Sequence, residues 1–225
     1  MSHTLGIRQA QKQKTRQALL DAALELLEGQ SLSSLGLREV TRAVGVAPTA
    51  FYRHFRSTAD LGVALVEEAL GSLHPTIRTT VSTTGDGEER IARAVELIAG
   101  HVERHPAHVR FVARERHGGV RPVREAIGEQ LARFAGEVAE ALAKDPLSVG
   151  WSEDDLLMLA QLYVDQMLMT ACWFLEAQEA GPQERERIAQ LAIRQLRLIS
   201  VGRQHWLEDR DEDRNEDRDE ARPTA

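Results

Sequence analysis

The chain is expected to be all-α, with a small helix-turn-helix head and a larger helical body. Three observations predict this. Apolar residues recur at helical spacing through nearly the whole chain. Glycine or proline marks the breaks between those segments, at Gly45 to Pro48, Gly85 to Gly87, Pro106, Gly118-Gly119 and Pro146 to Gly150. Net positive charge is confined to the first quarter. Residues 1–56 hold eight Lys/Arg against four Asp/Glu, while residues 208–225 hold nine acids against four Arg, so a net charge of −7 conceals a basic head. That is where an electrostatic footprint for phosphates belongs. A hydrophobic content of 42% in 225 residues allows a real core, and the single Cys leaves no internal disulfide and fits a reducing cytoplasm. No stretch is read as a membrane span, and the start, MSHTLGIRQA, lacks the apolar segment of a signal peptide.

The stretch Gly36 to Phe55, GLREVTRAVGVAPTAFYRHF, organises the head. Leu37, Val40 and Val44 lie on one face of a short helix, with Arg38, Thr41 and Arg42 read on the other. Gly45 follows where a left-handed helix stop is expected, and Pro48 suits the first position of a second helix. Phe51 and Phe55 are an i, i+4 apolar pair on that helix. Thr49, Ala50 and Arg53 point away from the pair, with Tyr52 and His54 at its flanks. Two short helices joined by a tight glycine turn describe a helix-turn-helix whose second helix enters the DNA major groove. A packed helical hairpin with a solvated polar face is the alternative that spacing alone leaves open.

LREVTRAVGVAPTAFYRHF resembles the N-terminal DNA-binding domain of TetR-family bacterial repressors, from near Gln13 to about Leu65. Two further stretches, VRFVARERHGG (Val109 to Gly119) and LRLISVG (Leu196 to Gly202), resemble the fatty-acid-regulating, FabR-like and DesT-like branch of that family. The resemblance implies a homodimer on a palindromic operator, with half-sites about 34–36 Å apart or a multiple of that. Arg53 and Thr49 are the expected base-reading side chains. Lys14, Arg38, Arg42, Ala50, Tyr52, His54 and Arg56 are expected at phosphates or in setting register. Members of the family usually carry Ser or Thr at the place of Gly36 and a phosphate-contacting Lys near Thr58. This chain has neither, and Arg56 stands as the substitute.

In order along the chain, residues 1–8 read as a loose arm. A helix is expected from about Gln9 to Glu28, with Leu19, Leu20, Ala23, Leu26 and Leu27 inward and Arg8, Lys12, Lys14 and Arg16 at its start. Positive charge there opposes the helix dipole, which suits an end facing phosphates or simply a solvated end. Ser57 and Asp60 form a capping box for a helix carrying Leu61, Leu65, Val66, Ala69, Leu70 and Leu73, which Pro75 bends or ends. After the loop at Gly85-Asp86-Gly87, helices are expected to about His105, through Arg116, and from about Pro122 to Lys144.

A helix is expected at about 152–180, and from Leu156 to Leu175 it is apolar nearly all round, so both its own core and another surface must cover it. The segment of about 183–206 is amphipathic, with Ile188, Leu191, Leu198 and Ile199 inward and Arg185, Arg187, Arg194, Arg197 and Arg203 outward. Two such helices from each of two copies make a four-helix dimer interface. The domains are then 1–56 for the DNA-binding head, 57–207 for ligand binding and dimerisation, and 208–225 for an acidic tail. Three near-copies of Glu-Asp-Arg-Asp put like charges at every i, i+4, so the tail reads as disordered.

Within the body, Arg114-Glu115-Arg116 is either a salt-bridged helix end or, as the resemblance implies, a place where Arg114 or Arg116 meets the phosphates or carbonyl of a long-chain acyl-CoA. Phe111, Phe134, Met167, Trp173 and Phe174 are candidates for an apolar ligand tunnel, with Met158 and Met169, or are plain core. His101, His105 and His108 at i, i+4, i+7 could share a metal, but Pro106 interrupts them and nothing completes the site, so no metal is expected. No cofactor and no catalytic motif is expected. The reading is a cytoplasmic, non-enzymatic repressor with DNA, a lipid-derived ligand and a second copy as partners, and no membrane. The alternatives are a TetR-like sensor of a drug or other apolar molecule, a helical acyl-group enzyme and a ligand-free scaffold.

Overall fold

The computed structural model describes residues 2–82 and 87–220, with side chains for 9–80, 87–203, 205 and 206. Their backbone forms ten α-helices and no strand: α1 (Ser2–Leu26), α2 (Leu37–Val44), α3 (Pro48–Phe51), α4 (Thr58–Gly71), α5 (His74–Ser82), α6 (Gly87–Arg104), α7 (Pro106–Glu115), α8 (Arg121–Leu142), α9 (Glu153–Glu176) and α10 (Pro182–Glu220). Single 3₁₀ turns lie at Pro146–Ser148 and Ala177–Glu179. Proline sets this punctuation. Pro48, Pro75, Pro106, Pro122, Pro146 and Pro182 each fall at the first or second position of a helix or turn. There the missing N–H has no intrahelical partner to lose. The chain after α4 breaks at Ser72 and Leu73 and restarts at His74, so Pro75 opens a helix instead of bending one.

The two chain ends depart from the sequence reading in the same way. Helix α1 begins at Ser2, where a loose arm of residues 1–8 is expected, and α10 runs to Glu220 through most of the segment read as a disordered tail. Both are extensions of helices already packed further in. Lengthening such a helix needs no new nucleus, and nucleation is the costly step. Residues 83–86, within the expected loop, and 221–225 lie outside the described residues.

The chain divides into two compact units. One comprises Met1–His74 with His101–Leu131, the other Pro75–Gly100 with Ala132–Ala225. In the first, Leu19, Leu20, Ala23 and Leu24 of α1 and Leu27 just after it share a core with Val40 of α2, Phe51, Phe55, and Leu61, Leu65 and Val66 of α4. Val109, Phe111 and Val112 of α7 and Val123 and Ile127 of α8 are buried in the same unit. The head is therefore built with α4, α7 and the first part of α8, beyond residue 56.

In the second unit, α9 and α10 pack along their length, and Gln166 Nε2 donates to Gln195 Oε1 at 2.7 Å. The buried stripe of α10 is Ile188, Ala192, Leu196 and Arg203. Leu198, expected inward, is 73% exposed, and Arg203, expected outward, is 5% exposed. The stripe follows i, i+4, i+8 geometry whatever the residue type, and Arg203 is tolerated there because it is paired. Its Nη1 lies 3.4 Å from Asp145 Oδ2, and its Nη2 donates to Ser148 Oγ. Arg90 Nη2 reaches the same Asp145 oxygen at 3.2 Å, and the Leu147 N–H donates to Oδ1 at 3.1 Å. Burial alone would raise the Asp145 carboxyl. The Leu147 N–H and the two arginines outweigh it and hold the group below the usual carboxylate range.

Helix α9 buries Leu156, Leu159, Ala160, Thr170, Ala171 and Phe174 on one side. Leu162 is 50% exposed on the other, and Leu157, Met158 and Met169 are exposed with it, as are Leu198 and Val201 of α10. An 18-residue window within Glu153–Glu179 reaches a mean hydropathy of 1.2, apolar enough to cross a membrane by length and composition only, with 28% of that window buried. This corrects the expectation that no stretch comes near a span. The clustered Leu and Met outweigh the isolated polar residues Gln161, Asp165 and Gln166.

Candidate nucleic-acid interface and ligand-domain residues

The interface is assembled from three short signals. At the start of α2, the Glu39 carboxylate accepts the Gly36 N–H at 2.9 Å. Glycine has no side chain to accept the Glu39 N–H in return, which instead meets the Gly36 carbonyl at 3.0 Å. The capping box is thus half built. Helix α2 ends at Gly45, whose φ of 72° lies in the left-handed region that glycine enters without a Cβ penalty. The Gly45 N–H donates to the Arg42 carbonyl and the Val46 N–H to the Thr41 carbonyl, closing a Schellman-type stop. Extended Ala47 then leads into Pro48.

Helix α3 is shorter than expected. It is α-helical over Pro48–Phe51 and continues as a tight turn, with N–H groups of Arg53 and His54 donating to the carbonyls of Ala50 and Phe51. Buried Phe51 and Phe55, with ring centroids 5.5 Å apart, hold that turn against the core. The opposite side carries Thr49, Tyr52 and Arg53 exposed, with Ala50 and His54 half-buried. Tyr52 is 63% exposed, with its ring edge-on to that of Phe51 at a centroid distance of 5.8 Å. Thr41, read as outward, is buried, and its hydroxyl donates to the Arg38 carbonyl at 3.3 Å. It shares the 37, 40, 44 side of α2, and the local carbonyl satisfies its one donor.

The exposed basic side chains are unpaired. Among the described residues, Lys14, Arg38, Arg42, Arg53 and Arg56 form no side-chain ion pair. Lys12 and Arg16 of α1, part of the basic start expected to face either phosphates or solvent, join them. The Arg16 guanidinium lies over the Phe55 ring, 4.7 Å from its centroid. Burial, then Lys12, Arg16 and Arg53, push the His54 pKa down, and its Nδ1 is buried without a hydrogen-bond partner. Burial first, and the surrounding positive charge second, thus disfavour the charged imidazole. The signal for Lys12 and Arg16 was their i, i+4 spacing on the same helix as Lys14. At the next helix start, Ser57 Oγ accepts the Asp60 N–H at 3.1 Å, and the Asp60 carboxylate caps the Arg56 N–H at 2.8 Å.

The candidate ligand residues fall in different units. Phe111, Arg114 and Arg116 belong to the first; Phe134, Met167, Trp173 and Phe174 belong to the second. Phe111, Phe134 and Phe174 are buried, while Met167, Trp173 and Arg116 are half-buried. Arg114, read as a ligand contact, has other partners. Its Nη1 donates to the Leu27 and Gln30 carbonyls at 2.8 and 2.7 Å, and its Nη2 to the Glu28 carbonyl at 3.4 Å. Those are the free carbonyls at the C-terminal end of α1, which attract a cation.

The three histidines do cluster, with ring centroids of 5.0 Å for His101–His105 and 5.8 Å for His105–His108. Burial, then His105, Arg104 and His108, lower the His101 pKa to about 4. Among the described residues no group of three or more His, Cys, Asp or Glu is placed to hold a metal.

Residues 19–65 match the family described as bacterial regulatory proteins, tetR family. The fold is similar to that of the transcriptional regulator FadR from Bacillus subtilis in complex with stearoyl-CoA, with a TM-score of 0.65 and 15% identity over 80% of this chain and 96% of that one. It is similar also to the fatty acid degradation regulator FadR from Bacillus halodurans (TM-score 0.63, 17% identity, 79% and 94% covered). The reduced form of NemR from E. coli gives a TM-score of 0.59 and 21% identity, with 82% and 96% covered. The chain thus carries a segment at residues 19–65 that matches the tetR-family model, within an all-α fold similar to those of these solved regulators.

Proposed function

We propose that the chain is a cytoplasmic homodimeric repressor that reads a palindromic operator and regulates fatty-acid metabolism in response to long-chain acyl-CoA. The observation that carries the DNA part is the unpaired basic face around α3. A cation with no acid beside it loses nothing on meeting a phosphate, and it releases the phosphate's counterion when it binds. Thr49 and Arg53 read base edges. Lys14, Arg38, Arg42, Tyr52, His54 and Arg56, now with Lys12 and Arg16, set position and register, and Ala50 lets the backbone approach.

The exposed apolar sides of α9 and α10 support the dimer. Leu157, Met158, Leu162 and Met169 with Leu198 and Val201 form the kind of surface that a second copy of the same two helices covers. Covering by a second copy also explains a helix as apolar as α9 without a membrane.

The ligand reading draws on likeness to the FadR that was solved with stearoyl-CoA, and on the resemblance of VRFVARERHGG to the FabR-like and DesT-like branch. Arg114 leaves the list of ligand contacts, so Arg116 with Phe111, Phe134, Met167, Trp173 and Phe174 remains. The test is titration of stearoyl-CoA, oleoyl-CoA and CoA alone into the protein on a fluorescent duplex taken from upstream of its own gene. Operator affinity that shifts with either acyl-CoA and not with CoA supports the reading. Specific DNA binding indifferent to all three removes the acyl-CoA part and leaves a repressor of another ligand.

A further inference from the structure

The dipeptide Arg114-Glu115 at the end of α7 touches the DNA-binding head more closely than any sequence signal suggests. The loop of residues 27–36 joins α1 to α2 and decides where the helix-turn-helix starts. Its own hydrogen bonds centre on the serines: the Ser34 hydroxyl donates to the Ser31 carbonyl at 2.9 Å, and the Ser31 and Ser33 hydroxyls meet at 2.9 Å. The Ser34 N–H donates to the Ser31 carbonyl and the Leu35 N–H to the Leu32 carbonyl. The carbonyls of Leu27, Glu28 and Gln30 are taken by Arg114. The N–H of Leu32, whose side chain is buried, donates to Glu115 Oε1 at 2.9 Å. One turn earlier on α7, Arg110 pairs with Glu28 at 3.3 Å. This outer pair is half-exposed and contributes little by itself.

Glu115 is 1% exposed, and no cation pairs with it among the described residues. Its Oε2 is buried without a donor. A buried carboxylate in that state is costly unless its position serves something. Gly118 makes room for it, since a Cβ there would lie 2.2 Å from Glu115 Oε2. Arg124 Nη1 donates to the Gly118 carbonyl at 2.6 Å and fixes the same turn from α8.

We infer that Arg114 and Glu115 are positioning residues for the DNA-reading head, holding the α1–α2 loop to α7 so that a shift of α7 moves α2 and α3 with it. This rests on the regulatory reading above and gives its ligand response a route. A ligand that favours one position of α7 then favours one position of the helix-turn-helix, by its difference in affinity for the two states.

The experiment uses the full-length protein and three variants, Glu115→Ala, Glu115→Gln and Arg114→Ala. In the free protein, amide hydrogen exchange is read at Leu32 and at Val40 of α2. Exchange at Leu32 is expected to accelerate at least tenfold in Glu115→Ala and to return toward wild type in Glu115→Gln, whose amide oxygen still accepts. Specific operator binding is expected to weaken about tenfold in Glu115→Ala and Arg114→Ala, with non-specific binding at low salt unchanged. With oleoyl-CoA, the factor by which ligand changes operator affinity is expected to fall toward one in both alanine variants, while calorimetric oleoyl-CoA affinity stays within twofold. Arg114 has an exposed side chain, so its variant keeps the test open if Glu115→Ala does not fold. Unchanged exchange at Leu32 with unchanged operator affinity overturns the inference, as does loss of oleoyl-CoA binding in Arg114→Ala, which would return that residue to the ligand. If wild type ignores oleoyl-CoA, the ligand reading fails by itself. The exchange and operator arms still decide the positioning role.

Discussion

Arginine has opposite circumstances in two regions of this molecule. Around α3, Arg38, Arg42, Arg53 and Arg56 are exposed and form no side-chain ion pair among the described residues. In the second compact unit, Arg90 and Arg203 converge on one carboxylate, Asp145, and Arg203 is buried with it. Residue type does not separate the two cases; the presence of an acid does. Paired and buried arginines hold helices together, and unpaired exposed ones wait for a phosphate. Arg114 is a third case, exposed yet bound to backbone carbonyls.

The comparison breaks most visibly at Asp145. Asp145→Ala leaves Arg203 buried without its carboxylate, and a variant of that kind is expected to lose about 3–5 kcal/mol of stability. Urea unfolding measures it, and a loss under 1 kcal/mol would show that solvent already screens the cluster. Lowering the pH should act on the same group. Its folded pKa is depressed, so its contribution is present above the unfolded carboxylate pKa and is lost as the pH falls through the folded value.

A pH series on His101 sharpens the contrast with basic groups that are crowded rather than paired. Its folded pKa of about 4 lies below the unfolded value of 6.5. The unfolded chain therefore binds the proton first, and this contribution is complete above pH 6.5 and is lost as pH falls from 6.5 toward 4. The loss is expected to be roughly 2 kcal/mol after allowance for partial exposure. His101→Asn should flatten the stability curve in that window, and an unchanged slope would contradict the burial of the ring.

On the unpaired side, Arg42→Ala should leave the melting temperature within about 1 °C, because it removes no internal contact. In a dimer it should reduce the salt slope of DNA binding by about 2, one phosphate contact per copy. An unchanged slope would take Arg42 out of the interface. Gly36→Ser is the smallest change expected. Gly36 already has the extended backbone of a cap, with φ of −86°, so a hydroxyl accepting the Glu39 N–H should add a few tenths of a kcal/mol. A loss instead would mean that the Glu39 carboxylate, 3.2 Å from the new Cβ, cannot give way.

The head was legible because its signals are local. Gly45, Pro48 and the Phe51–Phe55 spacing fix the turn and the buried side within twenty residues. Thr41 was misread by chemistry rather than geometry, since its position on the 37, 40, 44 side outweighs its hydroxyl. In α10 the residue letters misled in both directions at Leu198 and Arg203. The acid that permits Arg203 to be buried stands 58 residues away in sequence. Arg114 was least legible of all. Its partners are backbone carbonyls 84 to 87 residues distant, and carbonyls carry no sequence signature.

The central claim is that the unpaired face around α3 reads DNA. Fluorescence anisotropy on the upstream duplex and on a scrambled duplex, for wild type and Arg53→Ala across a salt series, tests it most directly. The account predicts salt-sensitive, sequence-specific binding by wild type. It also predicts a loss of about 1–3 kcal/mol per half-site in Arg53→Ala on the specific duplex alone, with the scrambled duplex bound as before. Equal loss on both duplexes would make Arg53 a phosphate contact, and no preference of wild type for the upstream duplex over the scrambled one would contradict the claim.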